Sequence, residues 1–177
     1  MYQSSHPRAG GFSSPPRALH VLDVENLLGG QVTFGRTKVM WDLYCEAAKV
    51  DDADMIVAGC SRRFAESVLF ALPSRGRVVI GANVPDGADA ALLDAVDPTH
   101  QASRFARVVV GSGDHAFAPM ALQFVTAGCP ADLVTGSGFT ARRLRMVCRS
   151  HRHFAYHQLP QAWPFGAPTG RVATLGA

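Results

Sequence analysis

The chain has 177 residues, 47% hydrophobic and 18% charged, with a formal net charge of +3. That length suits one ordinary domain rather than two, and that apolar share suits a globular protein with a real core. No apolar run approaches the roughly 20 residues of a membrane span, no apolar leader opens the chain, and Cys45, Cys60, Cys129 and Cys148 lack the paired spacing of a zinc site, so the expectation is a cytoplasmic protein with reduced thiols.

Residues 1–17, "MYQSSHPRAGGFSSPPR", carry Ser, Gly and Pro without a hydrophobic period and read as a flexible tail. The first strand is expected over 18–23, an apolar run that stops on Asp23. A helix is expected over 38–49, where Met40, Leu43, Tyr44 and Ala47 share a face at offsets 3, 4 and 7. Strands follow at 54–60, 76–82, 105–111, 131–135 and 153–157. Helices fall between them near 62–72, where Phe64, Val68 and Ala71 align, and near 88–96, 119–127 and 140–149. Residues 160–177 are rich in Pro and Gly and read as a second tail, leaving a domain over 18–159. The continuous apolar character of the strand candidates predicts burial on both faces. Alternation of strands and helices predicts a three-layer α/β/α domain with a mostly parallel sheet. In such a sheet, ligands gather outside the carboxyl ends of the strands.

Three aspartates fall where they can meet at that edge. Asp23 closes the first strand; by itself it reads as an Asx-turn or a helix cap. Asp89 leads Leu92, Leu93 and Val96 by 3, 4 and 7 residues, so it shares the buried stripe of its helix, where a carboxylate is unusual. The alternative is a capping box in which Asp86 is the cap and Asp89 its partner. Asp94 lies off that face. Asp114 follows the strand over 105–111 and a Ser-Gly turn. Pro119 prefers the first helical position, which makes Ala118 the expected cap and leaves Asp114 in the loop. Clustered carboxylates repel one another and gather around a cation. Oxygen-only donors with open positions suit Mg²⁺ or Mn²⁺.

Three stretches, in order, carry a family resemblance. "LDVEN" (22–26) resembles the Asp-x-x-Asn signature of NYN domains, a branch of the PIN-like metal-dependent ribonucleases. "GADAALLDA" (87–95) resembles their Gly-x-Asp-x-x-Leu element, and "GSGDHAFAP" (111–119) their Gly-Asp-x-Asp-Phe-x-Pro element. The resemblance spans about residues 18–157. It implies a PIN-like, Rossmann-type fold, metal-binding acids at Asp23, Asp89 and Asp114, and an Asn26 that supports the site or contacts substrate. It also implies endoribonucleolytic cleavage with Mg²⁺ or Mn²⁺. Where the family commonly has a second aspartate in the last element, this chain has Ala116.

The arginines give a separate argument. A helix start carries partial positive charge, so a cation there is mildly unfavourable unless it serves an anion. Arg62 and Arg63 follow Ser61, Arg142 and Arg143 follow Thr140, and Lys38 follows Thr37 with Arg36 nearby, each Ser or Thr being a candidate cap. These six cations are expected to ring the acidic centre and contact a phosphodiester backbone. Arg145, Arg149, Arg152 and the histidines of "HRHFAYH" (151–157) extend that surface. Ser112 is a candidate phosphate contact. Phe117 and Phe124 read as core, and Trp41 lies off the apolar face of its helix. The leading expectation is therefore a metal-dependent endoribonuclease acting on RNA, with a homo-oligomer or protein partner left open. The alternatives are a noncatalytic RNA-binding or assembly module, for which Ala116 is the best support, and a small-molecule phosphoesterase or nucleotide-binding enzyme.

Overall fold

Six strands form one all-parallel sheet in the computed structural model, which describes residues 16–154. They are β1 (Ala18–Asp23), β2 (Met55–Ser61), β3 (Arg77–Gly81), β4 (Arg107–Gly111), β5 (Ala131–Thr135) and β6 (Ser150–His153). Their order across the sheet is β3-β2-β1-β4-β5-β6. The chain thus winds outward from β1 to one edge, returns to the centre, and winds to the other edge, the doubly wound arrangement with its switch point between β1 and β4.

Helices cover both faces, which is why the central strands are apolar on both sides. On one face lie α1 (Val24–Leu27), α2 (Phe34–Ala48) and α3 (Ala65–Ala71). Their Leu27, Met40, Tyr44 and Val68 pack with Leu22, Ile56, Ala58 and Val109 of the sheet. On the other lie α4 (Gly87–Asp94), α5 (Pro98–Gln101), α6 (Ala118–Thr126) and α7 (Arg142–Val147). Here Leu92, Phe117, Phe124 and Leu144 pack with Leu19, Val21, Val110 and Leu133. Phe117 and Phe124 are fully buried, as their spacing predicts. Trp41 is half-buried and stacked on Tyr44.

Polar ties hold the amino edge of the sheet, opposite the acids. His20 bonds the Tyr44 hydroxyl at 2.9 Å and Asp54 at 3.0 Å, so its two ring nitrogens are satisfied inside the core. Arg107 donates to the carbonyls of Ala48 and Lys49 and to Asp132. The carboxyl end of α2 is therefore at the amino edge, and its start is at the carboxyl edge.

The structure corrects several expected boundaries. α2 begins four residues before position 38, and its cap is Thr33, whose hydroxyl accepts from the Arg36 amide at 3.3 Å. Thr37 is buried inside the helix and donates back to the Thr33 carbonyl, so Lys38 stands beyond the first turn and not at the cap. A 3-10 turn over Arg62–Phe64 precedes α3, and Ser61 gives it no side-chain cap. Ala141, not Thr140, occupies the cap position of α7. Asp86 precedes α4 with φ of 56° and makes no capping bond, so the capping box does not form. α5 was not anticipated; Asp97 caps it through the Thr99 and His100 amides.

The last strand lies at 150–153, earlier than the expected 153–157, of which 155–157 fall outside the described residues. Arg149 and Ser150 both bond Asp132 of β5, which sets the register at Asp132↔Ser150. An edge strand needs no apolar run, so "SHRH" has no hydrophobic signature to find. The expected tails lie outside the described residues except for positions 16 and 17.

Candidate functional site

β1 and β4 flank the switch point, and their carboxyl ends supply two of the three aspartates. Asp23 is 4% exposed. Its Oδ1 accepts from the Asn26 amide at 3.1 Å, capping α1, and its Oδ2 accepts from the Ser112 hydroxyl at 2.9 Å. Asp23 is thus a helix cap and an acid of the site at once. Burial pushes its carboxyl up to about 6, against the lowering effect of those two donors.

Asp89 reaches the same place from the first turn of α4. Gly59 of β2, the register partner of Asp23, makes this approach possible. A Cβ at position 59 would stand 2.9 Å from the Leu92 Cβ, so only glycine lets α4 lie this close to the sheet. Burial raises the Asp89 carboxyl to about 7, and the charges of Asp23, Asp114, Asp86 and Glu25 raise it further in that order.

Asp114 does cap, contrary to the reading from Pro119. Its Oδ1 accepts from the Ala116 amide at 2.8 Å, starting a 3-10 turn over His115–Phe117. The α-helix then begins at Ala118, with Phe117 at the cap position and Pro119 in the first turn, where its missing N–H costs nothing. The 3-10 turn is what lets a helical start precede the proline. His115 is exposed and pairs with Asp114 at 2.9 Å.

Ser112, expected as a phosphate contact, is a brace, and Asn26 supports the site, one of its two expected roles. Ser112 is fully buried; its hydroxyl donates to Asp23 and accepts from the Asp114 amide at 3.0 Å, so it does not face a phosphate. The Asn26 Oδ1 accepts from the Gly113 amide at 2.7 Å, which ties the Asp-x-x-Asn segment to the loop of Asp114.

The three aspartates line a cavity of about 480 Å³ at the carboxyl edge, together with Glu25, Asn26, Ser61, Arg63, Asn83 and Asp86. Glu25 holds the wall: its Oε1 accepts from the Ser61 amide at 2.7 Å and its Oε2 from Arg63 at 3.4 Å. Asn83 accepts from the Arg63 amide at 2.9 Å. Of the six cations expected to ring the centre, only Arg63 lines the cavity; Arg36, Lys38, Arg62, Arg142 and Arg143 do not. Glu25, Asn83 and Asp86 were missed as site residues. The signals were a second carboxylate inside "DVEN" and the turn-forming cluster "NVPDG" just past β3.

The wider comparisons give a fold and no family. No family model and no curated protein matches the chain. Among solved structures, a protein of unknown function from Vibrio parahaemolyticus RIMD 2210633 is similar, with a TM-score of 0.53 and 15% sequence identity, covering 80% of this chain and 96% of that one. Identity that low carries the architecture alone.

The donor set is compatible with a hard divalent ion. It is all oxygen, and the carboxyls of Asp23 and Asp89 are raised chiefly by burial, with the neighbouring carboxylates adding to the rise. Among the described residues, no three His, Cys, Asp or Glu side chains stand ready to ligate one ion together. Mg²⁺ retains several waters and often takes only one or two carboxylates. The donors therefore fit an ion held in part through water.

Proposed function

We propose that this chain is a divalent-ion-dependent endoribonuclease of the NYN, PIN-like kind, cleaving phosphodiester bonds in RNA. The supporting observation is that Asp23, Asp89 and Asp114, from three separated segments, line one cavity at the switch point of a doubly wound sheet. Asp23, Asp89 and Asp114 would hold Mg²⁺ or Mn²⁺, directly or through water. When bound, such an ion activates water and stabilises charge on a phosphoryl group. Asn26 and Ser112 keep the acids in register, and Arg63 offers the cavity a cation for a phosphate oxygen. Cys45, Cys60, Cys129 and Cys148 are free thiols, in keeping with a cytoplasmic setting. No helix among the described residues is long and apolar enough to cross a membrane.

A second reading is a noncatalytic RNA-binding module. Ala116 and the lack of a ready three-ligand group among the described residues favour it. Cleavage of an end-labelled RNA in the presence of Mn²⁺, by the wild-type chain and by Asp114→Asn, separates the two. The nuclease reading expects cleavage that the substitution abolishes. Binding without cleavage by either protein supports the module, and turnover of mononucleotides with no affinity for oligomers would replace both with a small-molecule enzyme.

A further inference from the structure

The loop after β5 carries an aromatic side chain that the core does not use. It is laced to the site along its length: Ser137 N donates to the Leu27 carbonyl at 3.0 Å, and Ala141 N donates to the Gly113 carbonyl at 2.7 Å. A Cβ at position 113 would land on the Phe139 carbonyl, so this backbone lies directly on the glycine that precedes Asp114. The loop backbone is thus fastened at the carboxyl edge, yet Phe139 is 82% exposed.

Arginines follow within a few residues. Arg142, Arg143 and Arg145 are exposed, and none makes an ion pair with a described residue. In this respect they differ from Arg107 and Arg149, which are committed to Asp132. An exposed ring followed in the chain by cations without acidic partners among the described residues is complementary to a ligand that has both a flat apolar face and a negative backbone. An unpaired base with its phosphates has both. A base within a duplex has its faces covered by its neighbours.

We propose that Phe139 is a stacking platform for an unpaired base of single-stranded RNA, with Arg142 and Arg143 contacting the adjacent phosphates. This rests on the nuclease reading and narrows its substrate to RNA single-stranded beside the cleavage site. Of the five expected cations outside the acidic cavity, the two on α7 track the strand as it leaves the site, while Arg63 remains at the centre.

The test is equilibrium binding by fluorescence anisotropy in EDTA, so that affinity is read apart from cleavage. The probes are a fluorescent single-stranded RNA oligomer, the same oligomer with abasic positions, and a duplex of equal length. Phe139→Ala is expected to weaken single-strand binding roughly 5- to 150-fold, the span of one stacked base, while Phe139→Trp retains wild-type affinity. The abasic oligomer should lose the same factor on wild type and nothing more on Phe139→Ala. Arg142→Gln with Arg143→Gln should flatten the slope of log affinity against log salt, which Phe139→Ala leaves unchanged.

RNA binding that is indifferent to Phe139→Ala and to base removal overturns the platform and leaves the nuclease reading to its cleavage assay. A Phe139→Ala change that alters self-association in sedimentation, with RNA affinity untouched, overturns it in favour of a protein contact. Absence of oligomer binding by the wild-type chain overturns the platform; if Mn²⁺-dependent cleavage is absent too, the nuclease reading falls with it.

Discussion

Ser112 joins Asp23 to the backbone of Asp114: its hydroxyl donates to the Asp23 Oδ2 at 2.9 Å and accepts from the Asp114 amide at 3.0 Å. One buried hydroxyl thus links the acid that closes β1 to the backbone of the acid just past β4. Ser112→Ala removes a donor from a buried carboxylate and an acceptor from a part-buried amide. The expected cost is about 1–3 kcal/mol in urea denaturation, with the Asp23 carboxyl moving further above its ordinary range in an NMR titration. Ser112→Thr, which keeps the hydroxyl, should recover part of both.

The acid pair makes a signed contribution to stability against pH. Asp23 and Asp89 titrate near 6 and 7 in the folded chain, raised chiefly by burial from 3.8. Between these values and 3.8 the folded state binds more protons than the unfolded one. Their contribution is therefore fully present below about pH 4 and is lost as pH rises through 6 to 7. For Asp23, the more buried of the two, the loss is on the order of 2–3 kcal/mol. His20, which burial holds below 6.5, pulls the opposite way in the same window. The readout is therefore a difference: Asp23→Asn and Asp89→Asn should gain stability over wild type at pH 7.5 and little or none at pH 4.5, in denaturant melts run without divalent ions.

A divalent ion should stabilise the charged form of the same two carboxylates. Mn²⁺ is expected to raise the melting temperature of wild type, more at pH 7.5 than at pH 5.5, because the ion competes with the protons on Asp23 and Asp89. Asp89→Asn should remove most of the effect. A melting temperature that ignores Mn²⁺ at both pH values would take the metal out of the mechanism.

Gly59→Ala tests how α4 delivers Asp89. The added methyl meets Leu92, a fully buried side chain, at 2.9 Å, and α4 must shift outward. Overpacking of this kind costs about 1–3 kcal/mol. The expected companion result is a Mn²⁺ affinity reduced at 25 °C in a protein that is still folded by circular dichroism, since the helix carries Asp89 with it.

Cation positions separate by the same geometry. Arg63→Gln should weaken RNA binding and lower its salt slope by about one, because Arg63 lines the acidic cavity. Lys38→Gln should change neither, because Lys38 stands past the first turn of α2 and away from the cavity. Filter binding at several salt concentrations reads both.

Much of the molecule was legible before any coordinates. β1, β2, β4 and β5 are buried on both faces, so their apolar runs are unbroken and their positions follow from hydrophobicity. The face of α2 follows from the spacing of Met40 and Tyr44, both fully buried. Asp89 betrayed itself as a carboxylate on an apolar stripe. Edge strand β6 and the caps were not legible to the same degree, because a polar edge and a Ser or Thr before a helix each have several local solutions.

Sequence alone determined the alternation of buried strands and amphipathic helices, and hence a parallel sheet with acids at its carboxyl edge, because burial on one or two faces leaves a periodic trace in the residues themselves. Tertiary structure alone decided which groups meet there. Glu25, Asn83 and Asp86 join the cavity, Ser112 turns inward as a brace, and only Arg63 among the expected cations lines its wall. Those outcomes depend on close approaches between distant segments, such as α4 against Gly59 and the Phe139 loop against Gly113, and no local pattern encodes a contact between residues so far apart in the chain.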